Sequence, residues 1–516
     1  MSSRFSLRAR VVALLLVPGL AFGPAPFSSL HAQNLPNLGE ESATALSGQM
    51  ERRIGESYFR ELRRDPAFVD DPELTAYVQE LGMRLVGASV DPGAEIEFFL
   101  MRDSAINAFA MLGGFIGVNT GLLIAAETES EAASVLAHEI AHLTQKHIAR
   151  GFAAGQRTSM AALAALAVAL LAARSNSQVA AGAVAGAQAF QVQSQLAYSR
   201  DFEREADRVG FDLLQKAGFD VSAMPAFFER LQRATRIYDS NAPVYVRSHP
   251  LTVERIADVR NRAQGVRYRQ REDSLAFHLV RAKLRATADA GVDGVRDAQK
   301  HFAAQLANRT WANEAATHYG SAEAFFLGKD FKAAEAALAA ARRLASHPML
   351  DAMAARLRVA AGDRAGAVAE YRNALGRNPG ARFLRFALAD ALQAAGRHPE
   401  ALEMLTELAR SGRDGPRVYE MQARSYAATG KVMSQHQALG EYYAQLGSPQ
   451  AAIEQMQIAR CAKDGDFYQQ SIIDARIRDL WEAILAERAQ RNEASQGGDA
   501  RRGAPAPVQA PVGRCS

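Results

Sequence analysis

The chain has 516 residues, 48% of them hydrophobic and 22% charged, which is ordinary for a folded globular protein and ample for two or three domains. Its 60 lysines and arginines against 56 acidic residues give a formal net charge of +4. Three of those cations sit in the first ten residues, and without them the count is 57 against 56, so charge gives no support to a nucleic-acid partner.

Residues 1–32 read as a secretory signal peptide. Arg4, Arg8 and Arg10 form a positive region, "VVALLLVPGLAF" is a short apolar region, and "SSLHAQ" offers cleavage after Ala32 with Leu30 at the −3 position. The apolar stretch is short for a membrane span, and an uncleaved N-terminal anchor is the alternative. Residues 33–46 are a mostly polar leader. Only Cys461 and Cys515 are present, and in an exported chain two cysteines predict one disulfide, with two unpaired thiols as the alternative.

From Ser47 to about Leu85 apolar residues recur at three- and four-residue spacing, which predicts helices. "DDPELTAYVQELGMRLVG" opens with acids and a proline, as a helix N-terminus should. Residues 94–123 are rich in Phe and Ile and contain Gly113-Gly114, so two or three short strands with a hairpin at the glycines are expected. A helix follows from about Glu129 to Arg150. Residues 160–173, "MAALAALAVALLAA", are too short to span a bilayer and fit a buried or interfacial segment, which leaves peripheral membrane contact open. "YSRDFEREADRVGFDLLQKAG" predicts a further helix ending at Gly218.

The C-terminal half is periodic. Gly294, Gly328, Gly362, Gly396 and Gly430 follow one another at 34 residues, the period of the tetratricopeptide helix-turn-helix repeat. Each glycine is expected where the first helix of a unit turns into the second, with the Gly294 unit as a weaker cap. Twelve residues past their glycines, Ala340, Ala374 and Leu408 are the expected packing positions. "LGSPQAAIEQMQIAR" predicts one more repeat helix, and from about Arg491 Pro, Gly, Ala and charge predict a disordered tail. The expected fold class is α+β. A mostly helical domain with a small sheet, expected at 47–268, precedes an all-α repeat solenoid at 275–490 and the tail at 491–516.

His138, Glu139 and His142 make the pattern H-E-x-x-H. Residues i and i+4 share a helical face, so two imidazoles can approach one metal ion while the adjacent glutamate reaches a metal-bound water as general base. His147 is a tempting third ligand, but on a continuous helix it lies about 160° from the mean direction of the other two. It is expected to face away from the metal, exposed to solvent or locally hydrogen-bonded. "SRDFEREADR" offers a better partner. Glu203 and Asp207 are four apart on a predicted helix, matching a carboxylate ligand and a second carboxylate that orients a ligating histidine.

Together "HEIAHLTQKHIAR", "SRDFEREADRVG" and "RSHPLTVERIADV" resemble the exported zinc metallopeptidases of the HtpX/BepA superfamily. The resemblance covers roughly residues 40–265, and the repeat array brings it nearest the BepA-like periplasmic branch. It implies one Zn2+ per chain, held by His138, His142 and Glu203, with Glu139 catalytic and Asp207 supporting a ligand. "NAFAMLGGFIGV" resembles the substrate-side strand of that family, which makes Asn107, Ala108, Phe109, Ala110, Met111 and Leu112 candidates for binding an extended peptide. A plain core hairpin is the alternative. His249 in "RSHPLTV" is a candidate fourth ligand or a residue stabilising the reaction's tetrahedral intermediate, against a structural loop role. The implied function is a periplasmic zinc endopeptidase whose repeats bind clients or partners, namely outer-membrane proteins and their assembly machinery. The competing function is a chaperone or assembly adaptor whose proteolysis is rare or gated.

Overall fold

A computed structural model describes residues 47–151, 153, 199–237, 244–268, 271–410 and 415–495. The signal segment, the polar leader, the apolar run 160–173 and Cys515 lie outside the described residues. No helix among the described residues is long and apolar enough to cross a membrane.

Helix α1 (Gly48–Leu62) is capped by Ser47, whose side chain accepts from the Met50 amide. Helix α2 (Pro72–Val86) starts where Asp71 accepts from the Glu73 and Leu74 amides and proline occupies the first turn. Strands β1 (Glu97–Met101), β2 (Ala108–Met111) and β3 (Phe115–Asn119) form one sheet in the order β1-β3-β2. β1 pairs with β3 in parallel and β2 pairs with it antiparallel, so β2 is an edge. The β2–β3 hairpin turns through Gly113 (φ 79°) and Gly114 (φ 89°), a left-handed backbone that side chains disfavour.

Period-2 alternation sends two apolar sets to opposite faces of the sheet. Phe98, Leu100, Ala108, Ile116 and Val118 enter the main core. Phe99 and Phe115 meet Phe59 of α1 on the other face, with Phe59 and Phe115 stacked at 4.6 Å.

After α3 (Thr120–Ala125) comes α4 (Glu129–Thr144), capped by Thr128 and buried from Glu129 through His142. A helix buried all round belongs in the middle of a domain. It does not continue to Arg150 as expected. Gln145 ends it, Lys146 takes φ 53°, and a new helical segment, α5, covers residues 147–151. Helix α6 covers residues 199–216, followed by α7 (Ala223–Ile237), α8 (Val244–Ser248) and α9 (Val253–Gln264).

The remaining helices pack in antiparallel pairs. They are α10 (Leu275–Ala286), α11 (Val292–Asn308), α12 (Glu314–Leu327), α13 (Phe331–Leu344), α14 (Pro348–Ala360) and α15 (Arg364–Arg377). Then come α16 (Arg382–Ala394), α17 (His398–Arg410), α18 (Gly415–Ala428), α19 (Val432–Gln445), α20 (Pro449–Cys461) and α21 (Phe467–Ser495). Gly362, Gly396 and Gly430 occupy the turns inside pairs with φ of 81°, 72° and 71°.

Three sequence expectations shift here. Gly294 lies inside the first turn of α11 and not in a turn between helices. At Gly328 the left-handed position passes to Lys329 (φ 61°), and α13 starts one residue later relative to its glycine. The packing position therefore moves from Ala340, which is part-exposed, to Ala341, which is fully buried, while Ala374 and Leu408 are buried as expected. Finally, α21 runs on to Ser495, past the point where the composition changes.

One continuous core joins the sheet-bearing part to the repeats. At the junction, buried Lys283 of α10 sits 2.7 Å from Asp71 and 2.7 Å from Glu73 at the start of α2. Tyr319 extends this network to Glu323, which pairs with Arg356. At the far end of the array, Arg64 donates to the Leu446 carbonyl and the Ser448 hydroxyl at 2.8 and 2.6 Å, so the repeats return to the loop after α1.

Candidate metal centre

α4 carries His138, Glu139 and His142, which are 0%, 1% and 9% exposed. The i, i+4 spacing aims both imidazoles the same way, and their Nε2 atoms are 3.0 Å apart. α6 crosses close to α4 at Gly210, where an added Cβ would lie 3.0 Å from the His138 amide nitrogen. That close approach brings Glu203 within 3.4 Å of Nε2 of both His138 and His142. His249, just after α8, puts Nδ1 2.9 Å from Glu203 Oε1 and 3.4 Å from His138 Nε2. The ligand atoms of His138, His142, Glu203 and His249 all lie within 4.8 Å of one another.

Behind this cluster, Asp207 Oδ1 lies 3.1 Å from His138 Nδ1. Asp207 also accepts two hydrogen bonds from Arg255 of α9, at 2.7 and 2.8 Å. Arg255 is 3% exposed, donates to the Pro250 carbonyl at 2.9 Å, and reaches within 2.8 Å of Glu203 Oε2. It ties both carboxylates of α6 to the loop bearing His249. Tyr245 is fully buried, its ring 4.8 Å from that of His249, and its hydroxyl has no partner among the described residues. Sequence reasoning missed Arg255 and Tyr245. For Arg255 the available signal was that two buried carboxylates four residues apart on one helix face require a cation.

His147 stays outside the ligand cluster and is locally hydrogen-bonded, as expected, but it is not on the opposite face of the helix. It is 3% exposed, and its Nδ1 lies 2.9 Å from Nδ1 of His142. The expectation assumed an unbroken helix. The left-handed Lys146 ends that helix and swings His147 back behind His142. A non-glycine residue in this conformation costs about 1 kcal/mol, which the contacts made by His147 offset.

The electrostatics call for a cation. Burial alone would push the His138 imidazole down, but hydrogen bonds to Asp207 and Glu203 hold it up at about 10. Burial would raise Glu203, yet hydrogen bonds from His138, His142 and His249 keep it well below the carboxylate range. Burial keeps His142 below its ordinary value. Glu203 and Asp207 converge on the Arg255 guanidinium, and with Glu139 the three carboxylates outnumber that cation and a protonated His138. Glu203 Oε2 and Glu139 Oε1 are buried without an aligned hydrogen bond. Separations of 3.0 to 3.4 Å among the donor atoms of His138, His142 and Glu203 are close to the edge, about 3.4 Å, of a tetrahedron with arms of about 2.1 Å. These imidazole and carboxylate donors fit a divalent transition metal.

Beside the cluster runs β2. Its Ala110 amide donates to Glu139 Oε2 at 3.1 Å, so that peptide group points off the free edge of the sheet. The Asn107 carbonyl accepts from Asn119 of β3, which turns the alternate groups, those of Ala108 and Ala110, away from β3; Ala108 is fully buried there and Ala110 is part-exposed. Ala108, Phe109, Ala110 and Met111 form the strand, Asn107 precedes it, and Leu112 begins the turn. The Leu112 carbonyl is pressed against Gly55 of α1, where a Cβ would come within 1.8 Å. An apolar cavity of 350 Å³ between Tyr58, Leu62, Met111 and Leu112 adjoins this end of the strand.

Of the predicted cysteine pair, Cys461 has no free thiol, and its expected partner lies outside the described residues.

Comparison with known proteins agrees with this arrangement. Residues 72–263 match the profile of peptidase family M48, and residues 358–425 match a tetratricopeptide repeat. The chain is 30% identical over 485 residues to the beta-barrel assembly-enhancing protease of Escherichia coli, covering 92% of this chain and 96% of that one. It is 39% identical over 320 residues to the putative beta-barrel assembly-enhancing protease of Vibrio cholerae. That match covers 60% of this chain and 64%, just under two thirds, of the relative. The mitochondrial metalloendopeptidase OMA1 of Schizosaccharomyces pombe is 27% identical over 244 residues, covering 46% of this chain and 69% of the relative. With a histidine–glutamate cluster at its heart and near full-length similarity to such proteases, the chain belongs to peptidase family M48 and is a metalloendopeptidase carrying tetratricopeptide repeats.

Proposed function

We propose that this is a zinc endopeptidase of the periplasm that acts on β-barrel outer-membrane proteins during their assembly, with the repeat helices holding a client or a partner. The observation that carries the reading is the convergence of His138, His142 and Glu203 next to Glu139 and a free strand edge. The signal-like segment 1–32 supports the compartment, and the names of the Vibrio and Escherichia relatives support the role.

His138, His142 and Glu203 would hold the ion, and Asp207 would fix the His138 tautomer through Nδ1. Bound there, zinc supplies Lewis acidity toward the scissile carbonyl and toward a water molecule. The chain's own residues perform the remaining steps. An extended client adds to the edge of β2 through the Ala110 carbonyl, which faces away from β3. Client side chains on the Met111 face of the strand meet the apolar cavity. The Ala110 amide holds Glu139 Oε2 and leaves Oε1 for proton transfer. Glu139 takes a proton from the attacking water and returns it to the amide nitrogen as the C–N bond breaks, giving a new carboxyl terminus and a new amine.

A second reading, an assembly adaptor with restrained proteolysis, draws support from His249. Its Nδ1 stands 2.9 Å from Glu203 Oε1 and its Nε2 lies 3.5 Å from Glu139 Oε1, between the proposed ligand and the proposed base. Glu139→Gln discriminates between the readings in cells that depend on the protein. Accumulation of uncleaved, misassembled client supports the protease. Full assembly without cleavage would replace it with the adaptor.

A further inference from the structure

The two histidines of the H-E-x-x-H motif are supported in different ways. His138 Nδ1 faces the carboxylate of Asp207 directly. His142 Nδ1 faces another imidazole, Nδ1 of His147, at 2.9 Å. The other nitrogen of His147, Nε2, lies 3.1 Å from Glu205 Oε2, and the same oxygen accepts from Arg150 at 2.9 Å. The His147 ring is stacked on Phe202, centroids 4.6 Å apart and planes 14° from parallel, which sets its orientation. Phe202, Glu203, Glu205 and Asp207 therefore all meet the histidines of α4 and α5 from a single stretch of α6.

Proton placement along this chain has one consistent solution. An imidazole that presents Nε2 to a cation carries its hydrogen on Nδ1. His142 then donates from Nδ1, and His147 accepts at Nδ1. In that tautomer His147 carries its hydrogen on Nε2 and donates to Glu205. Glu205, charged and also held by Arg150, accepts both. The opposite placement puts the His142 hydrogen on Nε2, aimed at His138 Nε2 only 3.0 Å away, and blocks the cluster.

We propose that His147 and Glu205 are positioning residues of the peptidase. In this account His142, His147 and Glu205 form a relay that keeps the His142 hydrogen on Nδ1 and its Nε2 open to the metal. The inference rests on the metal reading of the site and adds to it a partner for the second histidine ligand. It also accounts for Lys146, since only the break in the helix there returns His147 to this place.

The test is Zn2+ affinity of the full-length metal-free protein, measured by competition with a chromophoric chelator. His147→Leu keeps an apolar group against Phe202 but removes the acceptor. Its affinity should fall by about 10- to 100-fold, the usual effect of removing a ligand's supporting partner. His147→Asn restores an acceptor near the Nδ1 position and should recover most of that loss. Glu205→Ala, on a part-exposed side chain that tolerates truncation, should fall between them. In the zinc-loaded wild type, 15N spectra should place hydrogens on His142 Nδ1 and His147 Nε2. Wild-type affinity in the Leu variant, equal losses in the Leu and Asn variants, or no loss in Glu205→Ala would each overturn the relay. A wild-type protein that takes up no Zn2+ would instead overturn the metal reading beneath it.

Discussion

Lys283→Met tests whether a buried ionic cluster fastens the repeats to the peptidase core. Lys283 is 5% exposed, and its ammonium lies 2.7 Å from both Asp71 and Glu73. Methionine fills similar space but leaves two carboxylates facing each other at the start of α2, with Tyr319 as a distant partner for Glu73. Stranding a buried charge in this way costs about 3–5 kcal/mol, a large part of a typical stability of about 5–15 kcal/mol.

The pH dependence follows from the charges. Burial would raise Asp71, but Lys283 more than cancels this and holds its carboxyl below the usual range. That contribution is complete above the unfolded value of about 3.9 and is lost as pH falls through the lower folded value. Burial would lower Lys283, but Glu73 and Asp71 hold it above its usual value. Its contribution is complete below about 10.4 and is lost as pH rises through the folded value. In the variant, acid neutralises the stranded carboxylates, so its deficit against wild type should be full at neutral pH and shrink below about pH 4. Urea unfolding followed by circular dichroism, at pH 7 and pH 3.5, measures this. A deficit under about 1 kcal/mol at neutral pH, the scale of an exposed pair, would refute the reasoning. So would a deficit that does not change in acid.

Asp207→Asn should weaken Zn2+ binding by about 10- to 100-fold and lower stability, because Arg255 loses its bidentate partner while still buried; chelator competition and thermal unfolding measure the two effects. His249→Ala should retain zinc and cleave unfolded polypeptide faster, since the side chain stands against both Glu203 and Glu139. A collapse of activity with zinc retained would instead assign His249 to the reaction itself.

Much of this site is legible locally. H-E-x-x-H and the Glu203–Asp207 pair each need only helical periodicity to share a face, and both helices form where the pattern places them. The repeat glycines at 362, 396 and 430 are equally local, since a turn that needs positive φ selects glycine. What escaped depends on departures from ideal geometry or on distant partners. His147 was misplaced because Lys146 breaks the helix, and no proline or glycine announces that break. The packing position moved from Ala340 to Ala341 because Lys329 takes the left-handed role and delays α13 by one residue. Arg255 and Tyr245 reach the site only through the tertiary fold. Gly210 reads as an ordinary helical residue until α4 is laid across it.

The central claim is that His138, His142 and Glu203 form one metal site. Anomalous diffraction at the zinc edge, from crystals of the zinc-loaded protein, tests it most directly. The account predicts a single strong peak about 2.0–2.2 Å from Nε2 of both histidines and from the Glu203 carboxylate. A zinc peak elsewhere, or none at this cluster at full loading, would contradict it.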